Sequence, residues 1–252
     1  MEPMLLAGDY ITVNKWITGA RIFNLRKALN GADVDVYRLP GLGKIKRNDV
    51  LVFNYPYPKK KDSISMDVML YYVKRCIALP GDTIEIKNGF YKVRGNQLPL
   101  GNMEGQMLLR HIVKPVEHWT EKGVYPQDSM MKWTLLEFGP LYIPRRNALI
   151  KMNTVHGILY KNLIEWEQKR KLIRCGNEIL LGDSVIHYYR FQENYYFVAG
   201  DRVTNSDDSR YWGLLPETYI VGKATFIWKS VDLLTGEIRW GRIGKGLGNF
   251  HQ

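Results

Sequence analysis

Short apolar segments that end in turns recur along the whole chain. They lie at 10–13, 50–53, 70–79, 138–143 and 221–228, and they are rich in β-branched and aromatic residues. Gly, Pro, Asn or Asp closes most of them, which is typical of β-strands of ordinary length. The pattern predicts a mainly β protein.

Local signals also predict two hairpins. Asn88-Gly89 separates the alternating segments 83–86 and 90–93, and Asn-Gly in this position is the strongest short-range hairpin signal. The aromatic segments 188–191 and 195–198 flank a short polar turn and predict a second hairpin.

One longer helix is predicted after Asn153, which can cap it together with Thr154. Its apolar face has helical spacing and consists of Val155, Ile158, Leu159, Leu163 and Trp166. A short helix is predicted near 22–29, ended by Gly31, and a late strand is predicted at 235–240.

Two cations, Lys74 and Arg75, lie in the middle of the apolar segment 70–79. Neighbours in a strand point to opposite faces, so one of the two faces inward if one face is core. A buried ammonium is costly unless it is paired or deprotonated. Lys74 therefore either reaches back to the surface, as most strand lysines do, or serves as a neutral general base.

A polar loop rich in Asp, Ser and Asn follows the last of the aromatic segments, at 200–213. Such a loop can be an ordinary cluster of turn residues. It can equally be a rigid polar network that supports a site. The residues alone leave both interpretations open.

Composition is that of a folded globular protein. With 252 residues the chain can form one large or two modest domains, and 45% hydrophobic with 24% charged residues is ordinary. The net charge of +11 favours an anionic partner, either nucleic acid or an anionic membrane surface, or else a solvated basic face. Aromatic and basic residues do not interleave as in nucleic-acid-binding proteins, so no nucleic acid is expected.

Several classes of site are not expected. The two cysteines, Cys76 and Cys175, form no CxxC pair, and no histidine has metal-like spacing, so no metal site is predicted. A disulfide between the two cysteines cannot be inferred from spacing, and Cys76 in an apolar strand fits a buried free thiol. No window reaches the ~18–20 apolar residues of a membrane span, and no signal peptide is visible, so a soluble chain is expected.

Four blocks of the chain resemble, in order, the motifs of the bacterial type I signal peptidases. The blocks are Met1-Glu2-Pro3-Met4-Leu5-Leu6-Ala7-Gly8-Asp9, then Asn48-Asp49-Val50-Leu51-Val52-Phe53, then Tyr72-Val73-Lys74-Arg75 with Leu79-Pro80-Gly81-Asp82, and finally Gly200-Asp201 through Ser206-Asp207-Asp208-Ser209-Arg210-Tyr211-Trp212-Gly213. Any one block is weak evidence, but four in the right order are strong.

The resemblance implies a serine endopeptidase that cleaves the signal peptides of exported preproteins with a Ser–Lys dyad. It assigns the general base to Lys74, which needs a pKa of ~7–8 against ~10.4 for a free lysine. Ser206 matches the serine that holds the lysine, and Asp208 and Arg210 match the pair that braces the same loop. No cofactor is implied.

The resemblance puts the nucleophilic serine immediately before Met1 and a membrane anchor further upstream. The sequence is therefore expected to be a soluble fragment that lacks both and is inactive as given. It also departs from the family pattern, with Arg202-Val203-Thr204 in place of Asn-Arg-Asp and Met4 in place of Thr.

The implied partners are signal peptides, which end in small residues after an apolar core, and an anionic membrane surface. The site is expected on the outer face of the bacterial cytoplasmic membrane, with the peptide added to an exposed strand edge. Residues matching the pocket walls are Met1, Pro3, Leu5, Tyr72 and Val73, for which plain core packing is the alternative.

The expected architecture is a catalytic β core made of 1–85 and 188–252, with a β-rich insertion, or cap, at 86–187. The main alternative function is an inactive module of the same family that binds signal peptides without cutting them. A self-cleaving repressor would need a DNA-binding domain upstream, and a basic nucleic-acid-binding β protein would show salt-sensitive binding.

Overall fold

The computed structural model describes residues 1–30, 34, 36–60, 62–113, 123–176 and 178–248. The described chain is mainly β, as the apolar pattern predicts. In chain order the strands are β1 Asp9–Asn14, β2 Arg21–Ile22, β3 Tyr37–Arg38, β4 Val50–Asn54, β5 Tyr71–Ala78, β6 Thr83–Lys87, β7 Phe90–Val93, β8 Glu137–Tyr142, β9 Leu149–Lys151, β10 Leu172–Cys175, β11 Glu178–Leu181, β12 Ser184–Val185, β13 Tyr188–Arg190, β14 Tyr195–Ala199, β15 Leu215–Pro216 and β16 Ile220–Ser230. The α-helices are α1 Leu25–Leu29, α2 Met103–Val113, α3 Thr154–Leu159, α4 Lys161–Gln168 and α5 Ser209–Trp212.

The largest sheet takes its strands from both halves of the chain. Six antiparallel strands lie in the order β1-β16-β4-β5-β14-β15. Strand β4 lies inside it and is buried on both faces, since Leu51 and Phe53 pack into one apolar cluster and Val50 and Val52 into another. Burial on both faces explains why its sequence is continuously apolar rather than alternating.

A smaller sheet lies beside the first, in the order β7-β6-β8. The predicted hairpin at Asn88-Gly89 is confirmed: both residues have positive φ, 53° and 84°, and they join the paired strands β6 and β7. The ring of Phe138 on β8 meets that of Phe197 on β14 edge-on at 5.7 Å. The two sheets thus share one core.

The division into catalytic core and inserted cap stays a prediction. Its boundary after residue 85 falls inside β6, which pairs with β7 and β8. A single cluster of buried side chains contains Phe53, Ile86, Leu163 and Phe197 and so crosses the predicted boundary.

The predicted hairpin of 188–191 with 195–198 is wrong. Strand β13 pairs with β9, whereas β14 pairs with β5 and β15. The turn between β13 and β14 is held by Glu167, whose carboxylate accepts the backbone N–H groups of Gln192 and Glu193 at 3.0 and 3.1 Å. This anchor directs the two strands to different partners, which local sequence does not reveal.

The predicted late strand at 235–240 is also absent from the described residues. Only an isolated bridge joins Val231 to Ile238, and a 3₁₀ turn follows at Trp240–Arg242. The alternating apolar side chains that suggested a strand, Ile238 and Trp240, are exposed rather than packed.

The predicted helix after Asn153 forms in two pieces. The Asn153 side chain caps α3 by accepting the N–H of His156 at 2.8 Å, as expected. The chain breaks at Tyr160, whose hydroxyl donates to the carbonyl of Tyr142 at 2.9 Å, and α4 continues from Lys161. The short early helix is α1, while Gly31, its predicted end, lies outside the described residues.

Both cysteines are free thiols, with Cys76 buried and Cys175 exposed. Among the described residues no group of His, Cys, Asp and Glu could hold a metal ion. None of the helices in that part of the chain is long and apolar enough to cross a bilayer.

Phe197→Ala tests the shared core. The side chain is fully buried, so its loss should lower the free energy of unfolding by about 3–5 kcal/mol through lost burial and a cavity. Urea unfolding followed by circular dichroism measures the change. Phe226→Ala is the matched control, because Phe226 is 41% exposed and should change stability by no more than ~0.5 kcal/mol. Equal effects of the two variants would contradict the shared core.

Candidate active site

Strand β5 presents Lys74 and Arg75 to opposite faces of the large sheet. Lys74 lies opposite Leu51 of β4, and Arg75 lies opposite Val50. On its other side β5 pairs with β14 only from Arg75 onwards, where Ala199 is the partner. The chain of β14 turns away at Gly200, directly beside Lys74, and enters the polar loop 200–213.

Lys74 and Ser206 meet at this fork in the sheet. The Nζ of Lys74 donates to the Oγ of Ser206 at 2.9 Å. Gly200 makes this contact possible: a Cβ on it would lie 2.1 Å from Ser206 Oγ and 3.4 Å from Lys74 Nζ. Only a residue without a side chain fits between strand and loop at this point.

Arg75 forms a fully buried ion pair with Asp201 on the opposite face. Its Nε and Nη2 donate to the two carboxylate oxygens, each at 2.7 Å. The remaining amine, Nη1, donates to the carbonyl of Asn48 at 2.7 Å, and Nη2 also approaches the Sδ of Met4 at 2.9 Å. A buried guanidinium needs this degree of pairing, since an unpaired charge there costs several kcal/mol.

Asp208 and Arg210 form a second fully buried pair inside the loop. Nε and Nη2 of Arg210 donate to the carboxylate at 2.8 Å each, and Nη2 also donates to the carbonyl of Val203 at 2.9 Å. Asp208 accepts the N–H of Gly200 at 3.0 Å and caps α5. One carboxylate therefore joins the beginning of the loop to its end.

Comparison with known proteins identifies the family of the chain. The family model described as signal peptidase, peptidase S26, matches residues 1–229 of the chain. The chain belongs to this family. The resemblance inferred from the four motifs is thereby confirmed, and membership supports a serine hydrolase that acts on signal peptides.

Individual relatives match along nearly the whole chain. Signal peptidase I of Buchnera aphidicola subsp. Schizaphis graminum is 28% identical over 100% of this chain and 72% of its own length. Signal peptidase I of Aquifex aeolicus is 32% identical over 94% of this chain and 76% of its own. A crystal structure of a signal peptidase I from Enterococcus faecalis V583 is 20% identical, covers 73% of this chain and 98% of that one, and has a TM-score of 0.32.

The surroundings of Lys74 lower the pKa of its ammonium below the ordinary value. Burial is the main cause, because the charged form loses water. The carboxylates of Asp208 and Asp207 oppose the shift, Arg210 adds to it, and Asp201 opposes it more weakly. Burial thus favours the neutral form of the Lys74 amine.

Two neighbouring groups have perturbed pKa values as well. Burial would raise the pKa of Asp208, but the charge and hydrogen bonds of Arg210 outweigh it and keep the pKa below its usual value. Burial and the nearby Lys74 lower the pKa of the Met1 amino group.

The five residues predicted as pocket walls do not all come together. Met1, Leu5 and Val73 are partly buried against the same small apolar cluster, which lies on the Val50 and Val52 face of the sheet. Tyr72 lies on the opposite face, stacked on Tyr55 with ring centroids 4.8 Å apart. Pro3 is exposed.

Sequence reasoning missed the roles of Gly200 and of the Arg75–Asp201 pair. Both residues of that pair lie inside the four motifs. The signal that could have revealed the pair is an arginine beside a lysine in an apolar strand. The alternation argument expected one of the two cations to face inward. In fact both are withdrawn from water, Arg75 completely at 0% exposure and Lys74 partly.

Lys74→Met tests whether burial penalises the lysine charge. Because the pKa is lowered on folding, the native state is penalised below that pKa, and the penalty disappears as pH rises towards ~10.4, the unfolded value. The wild type should therefore gain stability relative to the variant as pH rises, by about 1.4 kcal/mol per unit of pKa shift. Urea unfolding between pH 7 and 10.5 measures the difference.

Lys161→Met is the control for that series, since Lys161 is exposed at the start of α4. Its difference from wild type over the same pH range measures what the loss of an exposed lysine does, and the change for Lys74→Met should exceed it. A flat difference for Lys74→Met would show that the lysine is as well hydrated in the folded protein as in the unfolded one.

Proposed function

We propose that the protein is a serine endopeptidase that removes signal peptides from exported preproteins by a Ser–Lys dyad. Lys74 is the general base, and the nucleophile is a serine directly before Met1 in the full-length chain. The observation that carries the proposal is the partly buried Lys74 Nζ, bonded to Ser206 Oγ at 2.9 Å. Met1 packs against the same apolar cluster as Val73, the neighbour of Lys74 in β5, so a residue before Met1 would lie near this strand.

The reaction follows from a neutral lysine at this point. Its Nζ takes the proton of the serine hydroxyl while the Oγ attacks the scissile carbonyl carbon. Collapse of the tetrahedral intermediate breaks the C–N bond, and the lysine ammonium gives its proton to the leaving amine. The neutral Lys74 Nζ then takes a proton from a water molecule, whose oxygen attacks the acyl-enzyme ester, and the lysine ammonium gives this proton to the serine Oγ as the acyl C–O bond breaks.

Ser206 and the two ion pairs hold this arrangement. The hydroxyl of Ser206 fixes the direction of the Lys74 amine. Asp208 and Arg210 give the loop a rigid frame through five hydrogen bonds among themselves, Gly200 and Val203. Preorganised groups of this kind avoid reorganisation during the reaction.

The departures from the family pattern find local partners. Arg202 pairs with Glu2 at 2.7 Å, Val203 is buried and its carbonyl accepts from Arg210, and Met4 contacts Arg75 through sulfur. The loop therefore remains braced with Arg202-Val203-Thr204 in place of Asn-Arg-Asp.

The signal peptide would bind along the first half of β5. The pairing of β14 ends at Arg75, so residues 71–74 are paired with β4 on one side and, within the described residues, with no strand on the other. A peptide added there gains main-chain hydrogen bonds and lies beside Lys74. Met1, Leu5 and Val73 offer partly exposed apolar surface for small side chains.

An anionic membrane surface is the second proposed partner, on the outer face of the bacterial cytoplasmic membrane. Leu234 is 97% and Trp240 74% exposed in one late segment, which also carries the exposed Lys245 and two arginines, Arg239 and Arg242, that pair with Asp9. Tryptophan beside basic side chains suits the interface between lipid headgroups and acyl chains.

Cleavage of a preprotein tests the dyad. A chain with serine directly before Met1 should cut a preprotein at its signal-peptide junction, and Lys74→Ala should lower kcat at least ~10³-fold, since the serine then has no base. Ser206→Ala should lower kcat less, because the base remains but loses its positioner. Lys161→Ala is the matched control and should leave kcat unchanged. Gel analysis of the products with single-turnover kinetics measures each rate.

Two outcomes would contradict the dyad. Equal cleavage by Lys74→Ala removes lysine from the mechanism. Tight binding of signal peptides without any cleavage by the serine-bearing chain instead favours the inactive binding module.

Vesicle flotation tests the membrane partner. The protein should bind vesicles with anionic lipid more than neutral ones, and Trp240→Ala should weaken binding about ten- to a hundredfold, since an inserted large apolar side chain contributes about 1.5–3 kcal/mol. Leu98→Ala is the control, as Leu98 is 74% exposed in a different segment. Equal loss in both variants, or equal binding to neutral vesicles, would contradict this surface.

A further inference from the structure

The loop between β7 and α2 is linked to both ends of the Arg75–Asp201 ion pair by two asparagines. It runs through 94–102 and belongs to none of the four motifs. At the aspartate end the side chain of Asn102, which lies in the loop, bonds the backbone of Asp201. At the arginine end Asn48 bonds the loop through its side chain and Arg75 through its backbone carbonyl.

Asn48 is fully engaged by hydrogen bonds. Its backbone N–H donates to the carbonyl of Cys76 at 2.7 Å, and its own carbonyl accepts Nη1 of Arg75 at 2.7 Å. Its side chain donates to the carbonyl of Pro99 at 2.9 Å and accepts the N–H of Gly101 at 2.8 Å. The residue has a φ of 68°, a left-handed conformation that asparagine adopts more readily than most residues.

Asn102 makes the matching contact at the other end. Its Nδ2 donates to the backbone carbonyl of Asp201 at 3.0 Å, while its Oδ1 accepts the N–H groups of Glu104 and Gly105 at 3.1 and 3.3 Å. Gly105 packs closely against this carbonyl, since a Cβ on Gly105 would lie 2.8 Å from the Asp201 oxygen. One buried side chain thus starts α2 and fixes the backbone of Asp201.

Asp201 directly follows Gly200, on which a Cβ would lie only 2.1 Å from Ser206 Oγ and 3.4 Å from Lys74 Nζ. A shift of the Asp201 backbone therefore moves Gly200 against both side chains of the site. A shift of Arg75 likewise moves Lys74, because the two residues are neighbours in β5.

We propose that Asn48 and Asn102 are positioning residues, which tie the loop 94–102 to the Arg75–Asp201 pair and so hold Lys74 and Ser206 in their reactive arrangement. The proposal rests on the proposed function of Lys74 as a general base. Neither asparagine touches the reacting atoms, and both act through the ion pair.

Two substitutions separate this role from simple support. Asn102→Ser keeps a side-chain oxygen that can cap α2 but removes the Nδ2 donor to Asp201. Asn48→Gly keeps the positive φ and the carbonyl that Arg75 needs but removes both bonds to the loop. Asn102→Asp is a second variant at that site, which retains the cap and also lacks the donor.

The control is Asn153→Ala, which removes a helix cap of the same kind from α3, where the side chain accepts the N–H of His156. It should lower the thermal midpoint, as a lost cap does, without reaching β5. It therefore reports what destabilisation alone does to the site.

The first readout is the titration of Lys74, monitored by NMR of labelled lysine. This measurement needs no nucleophile, so it can be made on the 252-residue chain. Asn102→Ser and Asn48→Gly should raise the pKa of Lys74 by about one unit, because the loosened site admits water, and Asn153→Ala should leave it unchanged. The same titration in Lys74→Met identifies the signal.

The second readout is cleavage by the chain that carries serine before Met1. Each asparagine variant should lower kcat about tenfold with KM within about twofold, since binding along β5 is unaffected. The double variant should lose well under a hundredfold, because both residues act through one ion pair and their effects should not add.

An unchanged Lys74 titration and unchanged kcat in Asn102→Ser, with a thermal midpoint lowered as in Asn153→Ala, would overturn the proposal and leave a structural role. A raised pKa in the asparagine variants of a protein that never cleaves would instead support the positioning role and refute the proposed protease. The two proposals therefore fail separately.

Discussion

The buried ion pair of Arg75 and Asp201 joins three segments that are far apart in the sequence. Its arginine comes from the second central strand of the large sheet, its aspartate from the start of the loop after β14, and its remaining donor bonds the turn before β4. Two charges without water are tolerated only because every carboxylate oxygen has a partner. The position of Gly200, and with it the contact of Lys74 with Ser206, depends on this pair.

A second buried pair, Asp208 with Arg210, holds the same loop from its far end. The two pairs fix the loop at both ends, so Lys74 remains poorly hydrated and its amine bonds Ser206. The nearby carboxylates raise the pKa of Lys74, while burial lowers it and has the larger effect. This balance of opposing effects is typical of groups that exchange protons in catalysis.

Much of this could be predicted from the sequence because the relevant patterns are local. The apolar segments gave β1, β4, β5 and β16 nearly to the residue, and Asn88-Gly89 gave its hairpin. The motifs predict Lys74, Ser206, Asp208 and Arg210 as site residues, and the structure brings Lys74 to Ser206 and Asp208 to Arg210 in one loop region. What failed depended on distant contacts: Glu167 diverts β13 from β14, and Tyr160 divides a helix whose apolar spacing is continuous. The faces of Tyr72 and Val73 also follow from strand alternation, yet the family pattern grouped them in one pocket.

The fork where β14 leaves β5 has a consequence for the shape of any chain that binds there. The open stretch, residues 71–74, is about 13 Å long at ~3.3 Å per extended residue. The same distance would take about nine residues of α-helix. A peptide that binds along this stretch must therefore be extended, not helical, over about four residues next to Lys74. Residues that end a helix, placed just before these four, would favour binding although no pocket contacts them.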